Sequence, residues 1–329
     1  MYSYKEILKH RPYWMAFAIL WIVMYHSDFH FPIGINLIPA LGYGGVDIFF
    51  LYSGIGAWYT VKRFDYKYIK YVVHSLKKIL PIYYVMLIPW GIFVYYTEGL
   101  SIQEILGNIT CAGCLLGMKH QFNWYMTAIV CFYLIAPIFV RLADKVESPL
   151  LQVGVILLLA FCGIPFFKKN ALMMVSRLPV AYLGIIIAKK ETTGGINEKM
   201  VNILTVLSII LFAGIVFLML VRNQILWDYG LWWYPMIIVA PTVCLLISKM
   251  IMVYGEKIPK VLSFLKKIGR MTFAIYLAHV TEFYIVKYFI STNIIWDRNI
   301  IWIVAFLILP FISYGVYYLS LTTKALENI

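Results

Sequence analysis

The chain is predicted to be all-α, a polytopic membrane protein of about ten transmembrane helices with its N- and C-termini in the cytoplasm. Three observations predict this. Hydrophobic residues make up 63% of the 329 positions and charged residues 13%, about half the roughly 25% usual in a soluble domain. Apolar runs recur at about 20 residues, the length that crosses roughly 30 Å of hydrocarbon. Lys and Arg are dense in alternate connections between those runs, as the positive-inside rule requires.

The apolar runs lie near 12–28, 40–61, 79–97, 122–141, 150–166, 172–188, 200–221, 230–249, 270–290 and 299–321. The first follows Lys5, Lys9 and Arg11 with no small-residue cleavage pattern after it, so it reads as a retained helix and not a cleaved leader. The run at 172–188 is short and carries Arg177. Residues 101–118 are apolar only in part and read as a short interfacial segment. With no repeat and no room for a soluble domain between runs, residues 1–329 form one membrane-embedded domain.

With the N-terminus inside, 21 of the 28 Lys and Arg residues fall on the cytoplasmic side. An odd number of helices would scramble that alternation. The net charge of +13 is therefore topological. It does not point to nucleic acid, for which the chain has no soluble basic domain. The expected location is the inner or plasma membrane, with lipid as the first partner; a homodimer remains open. The 26 Tyr, 21 Phe and 10 Trp suit the two membrane–water interfaces.

Ionisable side chains at membrane depth are costly and mark functional sites. His26, Asp47, Arg177, His279 and Glu282 stand out. His26 lies roughly 22 Å along its helix from Arg11 at about 1.5 Å per residue, beyond the midplane and beside Tyr25, Ser27 and Asp28. Imidazole suits general-base chemistry near neutral pH; the plainer reading is a hydrogen-bonded histidine near the outer interface. Asp47 and Ser53 lie in a glycine-rich second run, with Gly42, Gly44, Gly45, Gly54 and Gly56. The glycines permit close helix packing, while Asp47 either orients a histidine or caps broken backbone. His279 and Glu282, three residues apart, share a helix face and serve either chemistry or a structural polar tie. The basic, aromatic stretch from Lys62 to Lys78 either retains the loop inside and binds anionic lipid or holds the phosphates of a cytoplasmic cofactor. Trp124, Trp227, Trp232 and Trp233 either stack on sugars or anchor the outer interface. Cys111-Ala-Gly-Cys114 lacks the four ligands of a zinc site, so no metal is expected; a disulfide or two inert thiols remain. Asn108-Ile-Thr110 fits a glycosylation sequon, a triplet common by chance.

Several segments together resemble the acyltransferase-3 family. They are Met24-Tyr25-His26-Ser27, Gly44-Gly45-Val46-Asp47-Ile48-Phe49-Phe50-Leu51-Tyr52-Ser53-Gly54 and Lys77-Lys78-Ile79-Leu80-Pro81. Asn123-Trp124-Tyr125-Met126 with Phe132-Tyr133-Leu134-Ile135-Ala136-Pro137, Arg177-Leu178-Pro179 followed by Leu183-Gly184, and Ile268-Gly269-Arg270 through His279 complete the set. Their order covers nearly the whole chain, and the second is the most specific. The resemblance implies transfer of an acetyl group from cytoplasmic acetyl-CoA to a hydroxyl of an extracytoplasmic glycan or lipid-linked sugar, with succinyl as another possible group. It implies His26 as general base, and Asp47 and Ser53 are the candidates to serve the same polar cavity. It also implies Arg11, Lys70, Lys77 and Lys78 as holders of the CoA phosphates, with the pantetheine arm threading toward His26. Arg177, His279, Glu282 and Trp124 are then the candidates for substrate binding. Two positions depart from the family pattern. The arginine usual eleven residues before the histidine is Met15 here, and an Arg-x-x-Arg pattern reads Ser75 and Lys78. The alternatives are a transporter-like membrane component and a non-catalytic subunit of a polysaccharide export complex.

Overall fold

The computed structural model describes residues 8–29, 37–161, 169–190, 198–220, 233–292 and 297–326. Among them all regular structure is helical. In chain order the helices are α1 (Arg11–His26), α2 (Leu37–Ala40), α3 (Gly44–Arg63), α4 (Tyr68–Thr97), α5 (Ile102–Ile109), α6 (Trp124–Lys145) and α7 (Pro149–Phe161). Then follow α8 (Lys169–Val175), α9 (Leu178–Lys190), α10 (Glu198–Leu220), α11 (Met236–Tyr254), α12 (Pro259–Arg270), α13 (Thr272–Thr292) and α14 (Arg298–Leu326).

Every one of the ten apolar runs carries a helix. Six helical segments among the described residues are long and apolar enough to cross a membrane: Tyr68–Thr97, Trp124–Lys145, Ala171–Lys190, Met236–Lys257, Thr272–Thr292 and Arg298–Thr322. The chain is a multi-pass membrane protein.

Three boundaries differ from the sequence reading. α4 starts at Tyr68, about three turns before 79. Its first turns are amphipathic: Tyr71, Val72, Ser75 and Ile79 are buried while Lys70 and Lys77 are exposed, a spacing of three and four that hydropathy averaging hides. The basic connection after α11 likewise contains α12, a helix with no buried residue. The run at 172–188 is broken at Ser176–Arg177, where Pro179, near the start of α9, has no N–H to give to a carbonyl of the preceding helix.

The chain clusters into two compact units, Met1–Ala18 with Gly44–Val72 and Cys131–Gly269, and Ile19–Tyr43 with Val73–Val130 and Arg270–Ile329. In the first unit α3 and α9 meet backbone to backbone. A Cβ on Gly54 would lie 1.9 Å from the Ala181 carbonyl oxygen, and one on Gly184 would lie 2.1 Å from that of Leu51. Close contact between small residues drives helix association in lipid, where no hydrophobic force between helices exists. Gly56, by contrast, has open space at its Cβ position. Tyr182 donates to Gln152 Oε1 at 2.6 Å, Trp14 Nε1 donates to Ser248 Oγ at 2.8 Å, and Lys189 Nζ reaches the carbonyls of Ala143, Asp144 and Val146 at the end of α6. A cation there offsets the negative end of the helix.

In the second unit α13 packs on α14 through a cluster of Phe283, Trp302 and Phe306. α5 opens with a capping box, in which Ser101 and Glu104 satisfy each other's backbone N–H. Asn108 then ties the following connection down. Its Nδ2 donates to the Glu104 and His120 carbonyls, and its Oδ1 accepts from Phe122 N at 2.7 Å. Its own carbonyl accepts from Tyr83 at 2.7 Å. Asn108 is 4% exposed, so the sequon asparagine is committed to the fold. Phe122 packs against the Tyr83 and Trp90 rings. These contacts fix where Gln121, Asn123 and Trp124 stand. Cys111 and Cys114 are buried thiols, not bridged to each other.

Candidate active site

The second unit contains a cavity of about 260 Å³ whose wall includes His26, Gln121, Asn123, Trp124, Tyr276, His279, Tyr284 and Lys287. His26 is the last residue of α1 and His279 sits on the second turn of α13. His26 Nδ1 lies 2.8 Å from His279 Nε2, with the rings inclined by only 16°. His279 is fully buried, and its Nδ1 lies 3.2 Å from the Ile275 carbonyl.

This chain of contacts assigns the protons. A carbonyl only accepts, so His279 Nδ1 carries hydrogen and its Nε2 presents a lone pair. His26 Nδ1 must then donate to that lone pair. A neutral His26 is left with its basic lone pair on Nε2, the nitrogen not used in the pair. An imidazole held in one tautomer by a second group is the arrangement a general base needs.

The cavity rim carries charge. Asp28 lies 3.5 Å from Lys287 Nζ and 3.3 Å from Arg298 Nη2, all three partly exposed. Behind Tyr284, whose hydroxyl donates to the exposed Glu98, the buried His120 stands between two carboxylates. His120 lies 3.3 Å from Glu98 and 2.9 Å from Glu104. Glu104 is pushed down to about 2 by the Ser101 backbone N–H, the His120 backbone N–H and the Ser101 hydroxyl.

A family model described as an acyltransferase domain matches residues 14–320. The chain belongs to the acyltransferase-3 family. No curated protein and no solved structure matches it. As a family member it is a membrane acyltransferase, and the placement of each expected residue can be read in that light.

Of the residues expected at the acyltransferase site, the cavity brings together His26, His279 and Trp124. Asp47 and Arg177 lie in the first unit as a buried pair, each 1% exposed, with Oδ1 3.7 Å from Nε. Asp47 therefore faces an arginine and not a histidine. The Arg177 guanidinium also stacks 4.5 Å from the centre of the Trp233 ring, which is 1% exposed. Trp233 is thus a core residue and unavailable to a sugar; Trp227 and Trp232 lie outside the described residues. Ser53 donates to the Phe49 carbonyl of its own helix at 2.8 Å. Arg11 stacks 3.9 Å from the Tyr52 ring centre. Lys70, Lys77 and Lys78 are exposed on the first turns of α4.

Glu282 lines a different cavity from His279. Three residues turn a helix by 300°, leaving Glu282 about 60° from His279. That rotation suffices to place it in a second cavity of about 990 Å³ in the same unit, walled by Val85, Met86, Ala278, Ile285 and other apolar residues. Among the described residues no group of three His, Cys, Asp or Glu side chains is arranged to hold a metal ion. Asn123, Tyr276 and Tyr284 carry no charge at membrane depth, so the sequence assigned them no role of their own; Asn123 and Tyr276 entered only as members of the resembling segments. The signal available for a cap was an Asn followed directly by the apolar stretch from Trp124, the place an N-cap residue takes.

Proposed function

We propose that this acyltransferase moves an acetyl group from cytoplasmic acetyl-CoA to a hydroxyl of an extracytoplasmic glycan or lipid-linked sugar, with His26 as general base. The observation that carries the proposal is the chain of contacts from the Ile275 carbonyl through His279 to His26 Nδ1, from which we infer a basic His26 Nε2. His279 acts through His26: it holds the ring's tautomer and orientation and shares the positive charge as the proton arrives.

Acetyl-CoA supplies the activated acyl carbon. Lys77 and Lys78, both exposed, are the residues proposed to take its phosphates. Lysine meets phosphate as a point charge, without the arginine fork. Trp124 offers an aromatic face to a sugar ring. Tyr284, Gln121 and Lys287 offer polar contacts in the same wall. Ten crossings with both termini inside are part of the same reading, supported by the ten apolar runs and by 21 of 28 basic residues on one side. That orientation gives the donor a cytoplasmic approach and the acceptor an outer one.

The test uses membranes from cells producing the protein, given radiolabelled acetyl-CoA. Alkali-labile label should build up with the wild type and be absent with His26→Ala at equal protein abundance. Equal labelling by the two would refute His26 as the base.

A further inference from the structure

Asn123 is the residue before α6 and is 7% exposed. Its Oδ1 accepts the Tyr125 backbone N–H at 2.9 Å and the Tyr276 hydroxyl at 3.3 Å. A backbone N–H is an obligatory donor, so the atom facing it must be the amide oxygen and the amide cannot be flipped. Nδ2 is therefore directed away from the helix end. It is buried and meets no hydrogen-bond partner, although Asn123 lines the cavity that holds His26 and His279. Native structures pair nearly all buried donors, so such an exception calls for a purpose.

We infer that Asn123 Nδ2 is the oxyanion donor of the transfer reaction. This rests on the proposed acyl transfer and adds a second catalytic residue to it. The acceptor hydroxyl oxygen bonds to the thioester carbonyl carbon while its proton passes to His26 Nε2. The carbonyl π pair moves onto oxygen, and that oxyanion takes the Nδ2 hydrogen bond. On collapse the C=O re-forms and the C–S bond breaks. The thiolate leaves with the electron pair and recovers the proton from His26. The products are the ester and the free thiol of CoA.

Three features suit Asn123 to this work. Its amide is held at the oxygen end by two donors, so no reorganisation is needed as charge develops. It sits at the N-terminal end of a 22-residue helix, where the backbone field favours negative charge. Tyr276, which holds it, also packs edge-on against His279 with ring centres 5.2 Å apart. The amide and the base are thereby positioned by the same side chain.

The test compares Asn123→Asp and Asn123→Ala in membranes, with initial rates of alkali-labile labelling over a range of acetyl-CoA concentrations. Asn123→Asp keeps an acceptor for Tyr125 and Tyr276 and remains a good N-cap, but it loses the donor. The inference predicts that both variants lose roughly 100-fold or more in kcat. The KM for acetyl-CoA should stay within about threefold, since the contact strengthens only in the transition state. A purely structural role predicts near-normal kcat for Asn123→Asp and a lowered melting temperature for Asn123→Ala; that pattern would overturn the inference while leaving acyl transfer intact. Absence of label in the wild type would instead overturn acyl transfer itself.

Discussion

His26 Nδ1 and His279 Nε2 stand 2.8 Å apart, and the Ile275 carbonyl behind His279 sets the direction of the proton between them. The two imidazoles come from α1 and α13, 253 residues apart in sequence. If His279 serves to hold the tautomer of His26, a side chain that still accepts at that point should keep part of the activity. His279→Gln is expected to retain measurable transfer, and His279→Phe to lose about 100-fold or more. Initial labelling rates from acetyl-CoA at matched protein abundance would check this order.

The Asp47–Arg177 pair is expected to act on stability. Both side chains are 1% exposed, and removing one partner of a buried pair typically costs about 3–5 kcal/mol. Asp47→Ala and Arg177→Met should each lower the melting temperature in detergent. The double replacement Asp47→Leu with Arg177→Met should recover much of the loss, because no uncompensated charge is left. A double-mutant cycle read by thermal unfolding checks the coupling.

The α3–α9 contact makes a sharper steric prediction. A methyl on Gly54 or Gly184 would run into backbone oxygen, which cannot move aside as a side chain end could. Gly54→Ala and Gly184→Ala should each destabilise by about 1–3 kcal/mol. Gly56→Ala, two residues from Gly54 in the same helix, meets nothing within 4 Å and should be neutral. Yield after detergent extraction and melting temperature would separate the three.

Glu104 gives a pH dependence. Hydrogen bonds from Ser101 and His120 hold its carboxyl down to about 2 from an ordinary 4.5. A depressed carboxyl contributes stability above the unfolded value and loses it as pH falls through the folded one. The contribution of Glu104 should thus be complete above pH 4.5 and decline between pH 4.5 and 2. Glu104→Gln should flatten that part of the acid profile, measured as melting temperature between pH 6 and pH 3.

Much of the fold was legible because lipid leaves the chain few choices. Backbone groups must be satisfied within each crossing, so each apolar run in the sequence carries a helix. The amphipathic starts of α4 and α12 were missed because they alternate by face and not by stretch. The site was legible only where a residue's chemistry is unusual for its depth. His26 and His279 stood out, and they meet. Asp47 stood out equally, yet its partner is Arg177, a choice made by the glycine contact between α3 and α9. No local pattern encodes that choice. Glu282 shared a helix with His279, but a rotation of about 60° put it in another cavity. Asn123 was legible only as a member of a resembling segment; that its nitrogen is left without a partner depends on Tyr276, which joins it only in the folded chain.

The most direct test is mass spectrometry of surface glycans from cells producing the wild type or His26→Ala, with protein abundance matched by immunoblot. The account predicts ester-linked acetyl groups with the wild type and none above background with His26→Ala. Equal ester content in the two would contradict it.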